Sequence, residues 1–292
     1  AAPGGVAKSP IIQPFRVATD LPADVVRALT DRFGAVSQRD VELVPWSPQK
    51  AQLGADLPPN IAAFLLRDVA AVAAVPTRPW SSQPWSSNVL ALTRPTWRSR
   101  RGDALSVALP LRVVVGAAEA DEADLARGGL AGWIDHEPNQ LAWCPTCPDT
   151  AHLAAAMVHQ WGEADAVRRL RRLRHSGRAF PTHAALLVAV SQGDVRRGIT
   201  TLAAVQFARV SQRDVNVRAV LAPQAADPLN SARPIALLMP TSGGHLKAVE
   251  AFAVFLLMDR DVRRLFETLG AVSAAAELDD AQPFESIGER VQ

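Results

Sequence analysis

The residues whose type and spacing point most directly at bond-forming chemistry are two cysteines, in Cys144-Pro145-Thr146-Cys147. A C-x-x-C pair can close a disulfide, shuttle electrons as a redox dithiol, or bind a metal as thiolate. A structural disulfide of an exported protein is the preferred reading, because stable disulfides belong to oxidising compartments. Trp143 in front of the pair, giving WCPTC, is what a redox dithiol would share. Such a pair ends a strand and opens a helix within a small fold of its own, and the Pro148-Asp149 that follows departs from that pattern. A zinc site would need His152 and His159 as further ligands, at a spacing that matches no strong zinc template. On an Ala-rich helix those histidines are more often ordinary, partly buried residues.

No catalytic motif accompanies the cysteines. G-x-S-x-G, H-E-x-x-H, a Walker loop and a Rossmann glycine triplet are all missing, and Gly243-Gly244 is a turn at a helix start. Clustered carboxylates for a hard metal ion are missing too. The expectation is a protein that is not an enzyme, with no cofactor and no metal. A net charge of +2 is too small to argue for nucleic acid. Arg168, Arg169, Arg171, Arg172 and Arg174 crowd one helix, read as a solvated face rather than an anion site. Trp80 and Trp85 lie in a loop rich in Pro and Ser, where core packing outweighs a role as pocket walls.

The elements that must position these residues alternate between strand and helix. At 292 residues, 48% of them hydrophobic, the chain can bury a large core in about two domains. Its apolar runs, such as Ala251–Met258, are too short to span a bilayer. The first ten residues are small and flexible, as a mature N-terminus after signal cleavage or an expression boundary would be. Ile11–Ala18 predicts a strand, Val25, Val26, Leu29 and Phe33 a helix ended by Gly34, and Val41–Trp46 a second strand. This β-α-β start implies a parallel sheet with a right-handed crossover. Ile61–Val75 reads as a helix then a strand, and Val89–Thr93 as a strand. Leu105–Val115 is a strand region broken by Pro110, Asp121–Gly129 a short helix, and Leu141–Trp143 leads into the cysteine turn. Helices follow at Ala151–Trp161, capped by Asp149 or Thr150, at Glu163–His175, and at Ala184–Val190, capped by Thr182. Strands follow at Val195–Thr201 and Val215–Leu221. The near-repeats VSQRDV at Val36 and Val210 and VSQGDV at Val190 are helix-to-strand turns, without the regular period of a solenoid.

The stretch from Ala232 to Ala271, ARPIALLMPTSGGHLKAVEAFAVFLLMDRDVRRLFETLGA, joins a strand, a turn and two helices. Leu246, Val249, Phe252, Ala253, Leu256 and Leu257 form a buried face. Asp259 caps the second helix, which buries Val262, Leu265, Phe266 and Leu269 and stops at Gly270. This ending resembles that of the extracellular solute-binding proteins of ABC importers. The run CPDTAHLAAAMVHQWGEADAVRRLRRLRHSGRAFPTHAALLVAVSQGDVRRGITT resembles the second lobe of their type II class, in the branch of ferric-iron, thiamine and phosphonate binders. The resemblance spans roughly Phe15 to Ala271 and rests on order and spacing.

It implies an α/β protein with a two-lobe periplasmic-binding-protein-like fold of type II, each lobe a mixed sheet flanked by helices. Lobe 1 would comprise 11–94 plus 222–292 and lobe 2 95–221, closing by a hinge on a ligand. The positions matching ligand contacts are Thr19 and Asp20, the loop Trp85, Ser86, Ser87 and Asn88, the turn Asp149 and Thr150, and Thr200, Thr201 and Gln206. One departure narrows the ligand. The ferric-binding branch carries adjacent tyrosines just after the strand matching Gly198–Thr201, where this chain has Thr200-Thr201-Leu202-Ala203, and it contains no tyrosine at all. Phenolate ligation of iron is therefore excluded, and an anion or small organic molecule is expected instead.

The expected function is capture of a small ligand for an ABC permease, outside the cytoplasm, by a protein that does not itself span the membrane. A second expectation is a degenerate homologue serving as an accessory subunit of a larger complex, and a third is a C-x-x-C redox protein.

Overall fold

The computed structural model describes residues 14–37, 39–46, 60–67, 82–212, 214–222, 226–231, 233–240 and 245–275. Expectations for the first ten residues, for Ile11, for the second half of Ile61–Val75, for Trp80 and for Gly243-Gly244 lie outside these. The first half of the chain holds β1 (Phe15–Thr19), α1 (Ala23–Ser37), β2 (Val41–Pro45), β3 (Ile61–Leu66), α2 (Ser87–Ala91), β4 (Ala104–Pro110), β5 (Arg112–Ala117), α3 (Glu122–Ala126), α4 (Gly129–His136) and β6 (Leu141–Trp143). The second half holds α5 (Pro148–Trp161), α6 (Glu163–Ser176), β7 (Arg178–Ala179), α7 (His183–Ser191), β8 (Arg197–Thr201), α8 (Leu202–Ser211), β9 (Val217–Val220), β10 (Ile235–Leu238), α9 (Leu246–Met258), α10 (Arg260–Thr268) and β11 (Ala271–Ser273). The chain divides into two compact units, Ala1–Val107 with Ile235–Val262, and Ala108–Pro234 with Arg263–Gln292.

Both sheets are mixed. One has the order β11-β4-β10-β3-β1-β2 and the other β7-β6-β8-β5-β9. In the first unit β1 pairs in parallel with both β2 and β3, as a β-α-β start requires, and β10 runs antiparallel to β3. Its core is aromatic. Phe33 of α1 meets Phe15 of β1 and Phe252 and Phe255 of α9 edge-on, with ring centroids 5.1 to 5.9 Å apart. Such geometry adds about 0.5–1.5 kcal/mol per pair beyond burial. Asp259 caps α10 as expected, its Oδ1 accepting from the amides of Asp261 and Val262 at 2.9 and 3.1 Å.

In the second unit β5 lies between β8 and β9 and is antiparallel to both, while β6 runs parallel to β8 and β7. Its valines alternate between two cores, as the period of two demands. Val113 and Val115 pack with Leu186, Val190 and Val205 of α7 and α8. Val114 packs with Trp133, Met157 and Leu173 of α4, α5 and α6. Arg197 is buried at the start of β8, donating to Glu137 Oε2 at 2.7 Å and to the Asp124 carbonyl at 3.0 Å. Of the arginines on α6, Arg169 is no solvated residue. It donates to Asp135 at 2.7 Å and stacks 4.6 Å over the Trp161 ring.

Four local expectations are corrected. Ile61–Leu66 is a strand, not a helix. A short, wholly apolar run carries no period, and here it lies between β1 and β10 with both faces covered. Residues 87–91 form a helical turn rather than the start of a strand, and only Val89 is buried, which suits a single inward face. Helix α1 runs past Gly34 to Ser37, because the backbone there stays right-handed. Leu246 is 46% exposed, since α9 begins at it and its first turn lies outside the buried face. The three near-repeats do follow helix ends, at Ser37, Ser191 and Ser211.

Candidate functional site

Polar groups of the second unit gather where its strands hand over to helices. Strand β8 ends at Thr201, and α8 begins with the next residue. The Thr201 hydroxyl accepts from Ala204 N at 3.2 Å as the cap. Strand β6 ends at Trp143, followed by the cysteine turn and α5. Trp143 O accepts from Phe180 N at 2.9 Å, which holds the lead-in to α7 beside β6. Thr182 caps α7 as expected, accepting from Ala185 N at 3.1 Å. The N-termini of α5 and α7 thus meet through side chains.

Cys144 and Cys147 are joined in a disulfide, which bears out the preferred reading and removes both sulfurs from a zinc site with His152 and His159. The pair does lie between a strand end and a helix start, but inside a larger unit. Cys147, not Asp149 or Thr150, is the N-cap of α5. Pro148 at the first helical position has no N–H to be capped, and Thr150 turns its hydroxyl to the Cys144 carbonyl instead. Thr146 Oγ1 donates to the Pro181 carbonyl at 3.0 Å, tying the turn to the segment before α7.

Asp149 and Thr200 are brought together through a residue that sequence reasoning did not single out. His183, first in α7, places Nε2 3.0 Å from Asp149 Oδ1 and Nδ1 3.0 Å from Thr200 Oγ1. Arg112, 7% exposed, adjoins Asp149: it donates to the carbonyls of Ser231 and Asp149 while its Nε has no partner. Neither His183 nor Arg112 lies in a recognisable motif; the only signal was position, at a helix start and a strand start.

The electrostatics follow from burial and charge. Desolvation is the largest influence on Asp149 and raises its pKa. Together the His183 hydrogen bond and charge, a backbone amide and the Arg112 charge outweigh it, and the carboxyl lies below its usual range. Burial lowers the pKa of Arg112, and Asp149 opposes this. The line Asp149–His183–Thr200 has the residue types of an acid–base relay. Thr200, however, is 0% exposed, so its hydroxyl orients the ring and is not presented to a substrate. What the arrangement offers is an oriented imidazole and a carboxylate, both half-buried, beside helix N-termini that favour negative charge.

The other expected contact residues lie elsewhere. Gln206 is half-buried on α8, its Oε1 without a partner. In the first unit Thr19 is buried and accepts from Leu21 N at 3.2 Å. Asp20 accepts from Arg67 N at 2.9 Å, and burial raises its pKa despite Arg67. Trp85 is 3% exposed and packs in the core, whereas Ser86, Ser87 and Asn88 are exposed.

No protein-family model matches the chain, and no curated protein matches its sequence. Solved structures match over nearly its whole length. Iron-bound HitA from Pseudomonas aeruginosa superposes with a TM-score of 0.73, covering 94% of this chain and 92% of its own at 17% identity. Trichodesmium FutA, solved with iron and citrate, gives 0.72 over 91% and 87% at 14% identity. The ferric binding protein from Campylobacter jejuni gives 0.71 over 95% and 96% at 11% identity. The fold is periplasmic-binding-protein-like. The two mixed sheets flanked by helices are those expected of the type II class. At such identities the likeness extends to the fold alone. None of the described helices is long and apolar enough to cross a membrane.

Proposed function

We propose that this protein is a solute-binding protein of an ABC importer, acting outside the cytoplasm and catalysing no reaction. The observation that carries this is the near-full-length likeness to proteins solved as iron binders, one of them with citrate. A chain without tyrosine has no phenolate for bare ferric iron. The ligand class we favour is therefore a small anionic or organic molecule. Arg112, His183 and the amides at the starts of α5, α7 and α8 supply positive charge and donors in the second unit. Of the expected contact positions, Asp20, Ser86, Ser87, Asn88, Asp149, Thr150, Thr201 and Gln206 are the contacts we assign, while Thr19, Trp85 and Thr200, all buried, are assigned to positioning them. The lobes 11–94 with 222–292 and 95–221, and their closure on the ligand, belong to this proposal.

The test is native mass spectrometry of protein purified from its source. Thermal shift against a panel of carboxylate, phosphonate and neutral organic ligands accompanies it. A retained small molecule, or a rise in Tm with one class, is expected. A stable stoichiometric complex with other chains and no small molecule would overturn the proposal in favour of an accessory subunit. That second reading is favoured by Phe207 and Val210 on α8, 70% and 87% exposed and one turn apart, an apolar pair available to a partner.

A further inference from the structure

We propose that Cys147, Asp149 and His183 form a redox-gated site for a borderline divalent cation such as Zn²⁺, closed while the Cys144–Cys147 disulfide is intact and opened by its reduction. This stands independently of the solute-binding reading. The three residues each offer one ligand atom, and these atoms lie within 4.8 Å of one another, in the one such group among the described residues. Zinc bonds of about 2.0–2.3 Å put tetrahedral ligand atoms roughly 3.3–3.8 Å apart. The group therefore needs to close by only about 1 Å. One sulfur, one imidazole and one carboxylate form a borderline donor set suited to Zn²⁺ or Co²⁺ and unsuited to Ca²⁺ or Mg²⁺.

The groups that orient these ligands are already in place. Thr200, wholly buried, faces His183 Nδ1 and so fixes the ring with Nε2 toward Asp149. Backbone and side-chain ties hold the turn around Cys147 in place, from Thr146 to Pro181 and from Thr150 to Cys144. The missing part is charge on sulfur. In the disulfide, Cys147 Sγ is neutral and a poor ligand. As a thiolate at the N-cap of α5 it sits where the helix dipole favours negative charge.

Access favours the required exchange. Cys144 is 2% exposed, whereas Cys147 is half-buried and Pro145 and Thr146 are exposed. The thiolate of a dithiol reductant attacks Cys147 Sγ, the Cys144–Cys147 bond breaks, and Cys144 leaves as thiolate and takes up a proton. The reductant's second thiol then attacks the mixed disulfide. It departs as an oxidised disulfide and leaves two protein thiols. Metal binding releases the Cys147 proton and moves the imidazole proton from Nε2 to Nδ1, where Thr200 Oγ1 accepts it.

The test uses the full chain, stripped of metal, titrated with Zn²⁺ and Co²⁺ in its oxidised form and after treatment with a phosphine reductant. One Zn²⁺ per chain is expected only after reduction, with affinity more than tenfold above that of the oxidised form. Co²⁺ should show a thiolate charge-transfer band. Cys144→Ser leaves Cys147 free and should bind Zn²⁺ without reductant. Cys147→Ser, Asp149→Ala and His183→Ala should abolish stoichiometric binding, and Thr200→Val should weaken it by about 10–100-fold. The proposal is overturned if the oxidised wild type binds as tightly as the reduced protein. It is also overturned if neither the reduced wild type nor Cys144→Ser binds Zn²⁺, or if Co²⁺ binds without a thiolate band. Should Cys144→Ser not fold, the reduced wild type decides alone.

Discussion

Replacing Asp149 with alanine removes a carboxylate that performs two jobs in the second unit. It accepts a hydrogen bond from His183 Nε2 at 3.0 Å, and it places negative charge in the first turn of α5. A hydrogen bond to a charged group contributes about 1.5–3 kcal/mol, and a carboxylate near a helix N-terminus about 0.3–1 kcal/mol. The side chain is 23% exposed, so solvent screens part of this, and a net loss of roughly 2–3 kcal/mol at neutral pH is expected. The pH dependence is the sharper signature. The folded-state pKa of Asp149 is depressed below its ordinary carboxylate value, so its contribution is fully present above that ordinary value. It is lost as pH falls through the folded pKa, because the unfolded chain then binds the proton more readily. Urea unfolding of wild type and Asp149→Ala should therefore differ most above about pH 5 and converge as acid protonates the wild-type carboxyl. Parallel loss of stability in both proteins across the acidic range would refute the reasoning. So would an Asp149→Ala variant as stable as wild type at neutral pH.

Two glycines should respond in opposite ways to alanine. Gly270 has a φ of 64°, and a Cβ there would run into the backbone of Ala203 at the start of α8. Left-handed strain of about 1–2 kcal/mol and overpacking of about 1–3 kcal/mol predict a large drop in chemical stability for Gly270→Ala. In contrast, Gly34 lies inside α1 with nothing within 4 Å of an added Cβ, so Gly34→Ala should stabilise by about 0.5–1 kcal/mol. Asp227, 4% exposed, accepts from Leu130 N at 2.8 Å and Leu229 N at 2.9 Å. Asp227→Ala leaves both buried amides unpaired and should lower Tm, by the equivalent of roughly 2–4 kcal/mol.

Much of the fold was legible because long amphipathic helices and their caps carry their own signals. Thr182 and Asp259 cap as their types suggest, and α6 and α9 follow apolar spacing. The misread pieces are short. Ile61–Leu66 and the helical turn at 87–91 contain too few residues for a period to appear, and each takes its form from what covers it. Thr200 and Asp149 were legible as candidates through the turn and strand end in which they sit. His183 was not, because nothing local distinguishes it from any helix-start histidine.

By itself, the sequence determined much of the alternation of strands and helices and the absence of any phenolate. These depend on residue type and near neighbours along the chain. Only the tertiary structure decided that β6 lies beside β8 and that α5 and α7, which cover opposite faces of that sheet, begin next to each other. That packing joins Asp149, 34 residues from His183, to Thr200 a further 17 residues on. It also buries Arg112 against the Asp149 carbonyl, because β5, which Arg112 begins, is paired on both sides, with β8 and β9. Distance along the chain carries no information about such contacts. They follow from the burial of apolar faces on both sides of a sheet, which fixes where each strand end, and each polar residue on it, must lie.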